Sequence, residues 1–202
     1  MGMGFNGAAY QGPNMSDGTP TVYKIDRGDN EARLAALYTK NPELHQISSL
    51  PHYLSSSEGY GVRDKEVGMK YFVIHREDID DVESHPELRD ALYPLAEFAR
   101  ELDFGDSLHR ISTDVGEGRA NHAEAMKRVD KLIGKWDHHF ERLGPQLHQQ
   151  FKRIAEDQRK LAQKGIFICD VHAGNWGVRR STGELVMRDA GCWTIAPPAG
   201  EA

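Results

Sequence analysis

Hydrophobic and polar positions follow two different patterns along the chain, and the change comes near residue 86. Short runs of β-branched and aromatic residues dominate the first part: Thr21–Ile25, Tyr60–Val62 and Tyr71–Ile74. From Glu87 onwards, apolar side chains recur every three or four residues, which is the spacing of one helix face. The pattern predicts an α+β protein with a β-rich amino-terminal lobe, 1–85, and a helical carboxy-terminal lobe, 86–202.

Helix caps and breakers locate individual elements within these lobes. A cap-type residue followed by apolar residues at helical spacing predicts a short helix at about 30–40. In the second lobe, Gly144-Pro145 separates helices predicted at about 121–143 and 146–164, and Gly165 suits the carboxy-terminal cap of the latter. The glycine-dense amino terminus predicts a turn between two short strands.

Composition and charge narrow the class of partner. The net charge of 25 − 31 = −6 argues against a surface that binds nucleic acid or an anionic membrane. No apolar run approaches the ~18 residues of a membrane-spanning helix, and the amino terminus lacks a signal-peptide pattern. Cys169 and Cys192 lack CxxC spacing, so we expect neither a disulfide framework nor a zinc–thiolate site. A cytoplasmic protein is the expectation.

The most informative polar residues lie close to the carboxy terminus. Asp170 and Asn175 belong to one segment, Cys169-Asp-Val-His-Ala-Gly-Asn, and Asp189 follows beyond a predicted hairpin in Arg188-Asp-Ala-Gly. Carboxylate and amide oxygens are the hard ligands that Mg²⁺ takes. An aspartate that does not bind the metal can accept the proton of an attacking hydroxyl group. These residue types indicate a magnesium site suited to phosphoryl transfer.

A glycine motif stands at the other end of the chain. Gly2-Met-Gly-Phe-Asn-Gly is a full GxGxxG, and it is followed by a strand that carries Lys24 rather than by a helix. The motif therefore lacks the βαβ context of a dinucleotide-binding fold and suits a hairpin that covers phosphates. Glycines let backbone amides approach a triphosphate, and Lys24 would pair with its α- and β-phosphates. A solvated edge lysine is the alternative for Lys24.

Taken together, these motifs resemble the protein kinase-like fold. Asp170 and Asn175 have the spacing of the catalytic aspartate and metal-binding asparagine of kinases, and Asp189-Ala-Gly stands where kinases have Asp-Phe-Gly. The pattern Asp-x-His-x-x-Asn, which includes His172, looks more like aminoglycoside-type phosphotransferases. The glycine motif, the lysine and the segment 165–175 are similar to the small early serine/threonine kinases of short-tailed lytic phages.

The resemblance implies a reaction and a role for each carboxy-terminal motif residue. It implies transfer of the γ-phosphoryl group of ATP to serine or threonine of host proteins in the cytoplasm, with Mg²⁺ as the metal. Asp170 would be the catalytic base, and His172 would orient it or contact phosphate; the alternative for His172 is a structural hydrogen bond within the loop. Asn175 and Asp189 would hold the metal ion. The alternative for Asp170, Asn175 and Asp189 is that they are turn residues that only satisfy local backbone amides.

On the amino-terminal side, the resemblance implies the groups that hold the nucleotide: Gly2, Gly4, Gly7 and Lys24, with Lys24 also taking part in catalysis. Glu31, near the start of the predicted short helix, stands where the ion-pair partner of such a lysine is often found. The alternative is that Glu31 only favours the amino terminus of that helix.

Departures from the kinase pattern keep other functions open. Ile168-Cys169 replaces the usual His-Arg, so regulation by a phosphorylated activation loop is not expected. Only 11 residues follow Gly191, so the resemblance implies a minimal bilobal fold, with catalytic loop 168–178 and metal motif 188–191, truncated after that motif. The alternatives are an aminoglycoside-type, small-molecule phosphotransferase and a catalytically inert kinase-fold protein that inhibits a host enzyme.

Overall fold

The computed structural model describes an α+β protein that divides into two compact units. The described residues are 2–3, 7–63, 66–90, 104–141, 144–168, 173–189 and 193–195. Unit 1 comprises Met1–Gln46 and Pro51–Ile79, and unit 2 comprises Ile47–Leu50 and Asp80–Ala202. The α+β class predicted from the sequence is confirmed, whereas a single bilobal domain with its boundary after residue 85 stays a prediction.

Unit 1 is a five-stranded antiparallel sheet with one α-helix. Its strands are β1 (Gly2–Met3), β2 (Gly7–Gln11), β3 (Thr21–Asp26), β4 (Tyr53–Arg63) and β5 (Glu66–Glu77), in the spatial order β1-β2-β3-β5-β4. Helix α1 spans Asn30–Lys40, where the sequence predicts a helix, and a 3₁₀ turn follows at Pro42–Gln46. The pair β4–β5 extends well beyond the two short runs that predicted it, because cross-strand hydrogen bonds continue through polar residues.

Helix α1 packs against β4 and β5 through a buried apolar side. Leu34 and Ala35 are fully buried, and Tyr38, one turn after Leu34, is nearly so. The helix ends before Pro42, whose ring is incompatible with a continuing helix. Glu31 is buried together with these apolar residues, so the packing of α1 also fixes the position of this polar residue.

Unit 2 contains three long described helices and two small antiparallel sheets. The helices are α2 (Phe104–Gly116), α3 (His122–Phe140) and α4 (Pro145–Gln163); residues 86–90 are also helical. The strands are β6 (Asp80–Asp81), β7 (Ile166–Ile168), β8 (Trp176–Val178), β9 (Leu185–Met187) and β10 (Trp193–Ile195). One sheet has the order β6-β8-β9, and the other pairs β10 with β7.

The two helices that flank Gly144-Pro145 agree with the sequence pattern. Helices α3 and α4 pack together, and α4 ends near Gly165, whose φ of 76° is the left-handed conformation that glycine adopts without strain. The hairpin expected before the Asp189 motif is formed by β8 and β9. No described helix is both long enough and apolar enough to cross a membrane.

A buried polar network holds the segment Ile47–Leu50 within unit 2. The Asp157 carboxylate accepts hydrogen bonds from the Ser48 hydroxyl at 3.0 Å and from the Ser49 amide at 2.8 Å. The Arg179 guanidinium donates to the main-chain oxygens of Ser48 and Leu50, at 3.0 and 2.9 Å. Because Asp157 is almost fully buried, the hydrogen bonds from Ser48 and Ser49 replace the hydration that its carboxylate loses.

Candidate functional site

Lys24 and Glu31 form an ion pair on the α1 side of the unit 1 sheet. The Nζ atom of Lys24, in β3, lies 2.5 Å from Oε2 of Glu31, in α1. The Glu31 side chain is 1% exposed, and that of Lys24 is 15% exposed. The carboxylate is therefore buried, while the lysine retains some access to solvent. The contact between the two residues is present, and their role toward a nucleotide stays a prediction.

Three further side chains complete what we call the Glu31 cluster: Lys24, Asp26, Glu31, Tyr53 and Arg76. Oε1 of Glu31 faces Nε of Arg76 at 3.2 Å, in an ion pair that lacks hydrogen-bond alignment. The Tyr53 hydroxyl donates to the same oxygen at 3.3 Å. Oδ2 of Asp26 lies 3.4 Å from Nζ of Lys24. Both oxygens of Glu31 are thus engaged, and the formal charges of the cluster sum to zero.

The charged run that begins at Arg76 predicts a solvated turn, and for Arg76 this prediction is wrong, because the residue lies in β5 and is buried. Neither Arg76 nor Tyr53 was predicted at the site, since their position depends on strand register. Tyr53 lies opposite Arg76, and Arg76 lies opposite Val22, two residues before Lys24. Alternate residues of a strand share one face, so Lys24, Tyr53 and Arg76 point to the same side of the sheet. The signal available in the sequence was an arginine two residues beyond the apolar Ile74, but its partner could not be inferred without the pairing.

Gly2 and Gly7 of the glycine motif lie in strands beside Lys24. Gly2 pairs with Ala9 across β1–β2, and Ala9 pairs with Lys24 across β2–β3. Gly7 is the first residue of β2. Gly4 lies outside the described residues. A strand pair rather than a helix therefore accompanies the motif, and phosphate binding by its glycines stays a prediction.

Asn175 and Asp189 meet at one end of the β8–β9 hairpin. The main-chain oxygen of Asn175 accepts hydrogen bonds from the amides of Arg188, at 2.6 Å, and Asp189, at 3.2 Å. Asn175 ends a 3₁₀ turn and is 8% exposed. The backbone thus brings close together two residues whose side chains carry oxygen atoms, one an amide and the other a carboxylate. This donor set fits the hard-ligand preference of Mg²⁺.

An ion pair holds the residue before Asp189. The Arg188 guanidinium contacts the Asp81 carboxylate, which lies in β6. Burial by itself would raise the pKa of Asp81, but hydrogen bonds from the Glu83 amide and from Arg188 outweigh it, and the pKa falls below its ordinary value. Asp81 therefore stays ionised at neutral pH and fixes Arg188 from the side of β6.

The remaining predicted site residues, Asp170 and His172, lie outside the described residues. Within the part of the chain that the structure describes, no group of three or more histidine, cysteine, aspartate or glutamate side chains could hold a metal ion. The predicted magnesium ligands are an asparagine and one aspartate, which do not make up such a group.

Comparison with known proteins finds similarity to solved structures alone. No protein-family model matches the chain, and no curated protein matches it. Among solved structures, the chain is similar to the Cydia pomonella granulovirus kinase PK-1, with a TM-score of 0.38 and 14% sequence identity. The similarity covers 93% of this chain and 48% of that one. The chain therefore spans about half the length of the viral kinase structure.

Proposed function

We propose that the chain is an ATP- and magnesium-dependent phosphotransferase of the kinase-like class. The observation that carries the proposal is the buried Glu31 carboxylate paired with the partly exposed Lys24, beside a glycine-rich strand pair. Buried ion pairs lose hydration and contribute little net stability, so such a pair is better explained by a ligand that uses its charge. Lys24 presents a cation beside a strand pair that carries glycines, and glycines let backbone amides approach a triphosphate.

Unit 2 supplies the residues for the metal and the acceptor. Asn175 and Asp189 would hold Mg²⁺ through their side-chain oxygens, and the shared backbone hydrogen bond supports this assignment. When bound, the ion would neutralise charge on the phosphoryl group that is transferred. Asp170 would orient the attacking hydroxyl and accept its proton, with His172 beside it; these two roles rest on the motif resemblance.

The proposed acceptor is a serine or threonine of a host protein, in the cytoplasm of a cell infected by a phage. This part of the proposal rests on the similarity of the glycine motif, Lys24 and the segment 165–175 to small phage kinases. Neither nucleic acid nor a membrane surface is proposed as a partner, because the net charge of −6 disfavours both.

Labelled ATP with a cytosolic lysate tests the proposal and separates the acceptor classes. The purified chain is incubated with γ-labelled ATP, Mg²⁺ and lysate, and the label is followed in protein bands and in small molecules. We expect label on serine or threonine of protein bands, and about 10²-fold less label with the Lys24→Ala variant. Label in small molecules would favour an aminoglycoside-type acceptor. If ATP stays unchanged in all fractions and the chain inhibits a host enzyme, the protein acts by binding that enzyme and not by phosphoryl transfer.

A further inference from the structure

We propose that Arg76 is a positioning residue for the nucleotide, because it keeps Glu31 neutralised when Lys24 turns its charge to phosphate. This inference rests on the proposed function and adds a residue that the motif resemblance does not contain. The two oxygens of Glu31 have different partners. Oε2 faces Lys24 at 2.5 Å, whereas Oε1 faces Arg76 at 3.2 Å and accepts from Tyr53 at 3.3 Å.

The burial of the cluster shows why a second cation matters. The side chains of Glu31 and Arg76 are 1% and 7% exposed, so water cannot replace a lost partner of the carboxylate. With Lys24 alone, any movement of its ammonium toward a phosphate would leave a buried carboxylate without a counter-ion, which is costly. Arg76 and Tyr53 hold Oε1 throughout, so Lys24 can contact an anionic ligand at much lower cost.

The net charge of the Glu31 cluster also indicates that Arg76 favours binding of an anionic ligand. Lys24, Glu31 and Arg76 together carry a formal charge of +1, and Asp26, 3.4 Å from Lys24, brings the cluster to zero. Asp26 therefore competes with an anionic ligand for the lysine. Removing Arg76 makes the cluster more negative, and neutralising Asp26 makes it more positive. The two changes should move ATP affinity in opposite directions, whereas damage to the fold can only weaken binding.

The test measures the dissociation constant of ATP·Mg²⁺ by isothermal titration calorimetry, at equal folded fraction by circular dichroism. We expect Arg76→Met to weaken binding by about tenfold and Asp26→Asn to strengthen it by about threefold. Arg76→Lys keeps the charge and should stay within about threefold of wild type. Arg33→Met removes a guanidinium from an exposed position of α1 and should change affinity less than about twofold.

The outcomes separate this inference from the proposed function. Wild-type affinity in Arg76→Met, together with lost binding in Lys24→Ala, would overturn the role of Arg76 and leave the proposed function standing. No ATP binding by the wild type would overturn both. If Arg76→Met does not fold, Asp26→Asn decides alone: stronger ATP binding supports the electrostatic role, and unchanged or weaker binding contradicts it.

Discussion

At the scale of single residues, the proposed nucleotide site depends on Glu31, a carboxylate that faces two cations and is almost inaccessible to water. Its Oε2 pairs with Lys24 and its Oε1 pairs with Arg76. The lysine is therefore oriented by a buried carboxylate that a second cation also holds in place. Local patterns predicted a strand for Lys24 and a helix start for Glu31, and the kinase resemblance suggested that the two residues pair. It could not reveal Arg76, because only the register of β3 against β5 brings the two cations to one face.

The first residue-scale prediction concerns Lys24. Replacing it by alanine should lower turnover by about 10²-fold or more, because a charge aimed at the phosphates acts where little water screens it. Steady-state phosphoryl transfer at saturating ATP measures the effect. Lys40→Ala removes a lysine from an exposed position of α1 and serves as the matched control. Equal turnover in Lys24→Ala and wild type would make Lys24 a solvated strand lysine.

A second residue-scale prediction concerns Asp189. The change Asp189→Asn should abolish transfer while leaving the unfolding temperature close to that of wild type, because it removes a metal ligand in a loop rather than a core contact. Transfer assays across a Mg²⁺ titration, with thermal unfolding in parallel, measure both quantities. Asp130→Asn alters an exposed aspartate of α3 and should preserve activity. Retained transfer in Asp189→Asn would contradict the metal assignment.

At the scale of elements, helix α1 connects folding to the site, because the same helix buries an apolar side and carries Glu31. Local signals predicted this helix: apolar spacing, a cap-type residue before it and a proline after it. Strand partners were harder to predict. Ile166–Ile168 is an apolar run whose partner, Trp193–Ile195, lies far along the chain, and the lengths of β4 and β5 follow from pairing rather than from composition.

The element-scale prediction tests how firmly α1 is held. Leu34 is fully buried, so Leu34→Ala should lower the free energy of unfolding by ~2–5 kcal/mol and reduce ATP affinity by loosening Glu31. Leu54→Ala, at a strand position that is 40% exposed, should cost less than about 1 kcal/mol and leave affinity unchanged. Urea unfolding and ATP titration measure the two effects. A destabilised Leu34→Ala with wild-type affinity would separate α1 packing from the site.

At the scale of the whole molecule, the two units carry different parts of the proposed chemistry. Unit 1 holds the Glu31 cluster and the glycine strand pair, and unit 2 holds Asn175 and Asp189. The α+β class and the order of the motifs followed from the sequence, since local patterns encode both. Interactions between residues far apart along the chain, such as that between Ser49 and Asp157, did not follow from those patterns.

The whole-molecule prediction concerns stability: a ligand that binds only the folded state raises the free energy of unfolding. ATP with Mg²⁺ at 100 times its dissociation constant should raise the free energy of unfolding by about 2.7 kcal/mol, and a thermal shift assay measures this. Lys24→Ala should lose most of the shift at the same ATP concentration. An equal shift for Lys24→Ala and wild type would mean that ATP binds without using the lysine.

The measurement that tests the central claim most directly compares wild type with Asp170→Ala for both ATP binding and phosphoryl transfer. If Asp170 acts on the acceptor hydroxyl, the variant should bind ATP·Mg²⁺ with wild-type affinity and transfer phosphate ~10²–10⁴-fold more slowly. Binding and chemistry should therefore separate in one variant. If neither protein transfers phosphate and both inhibit host targets equally, the protein acts by binding, and the assignment as a phosphotransferase is wrong.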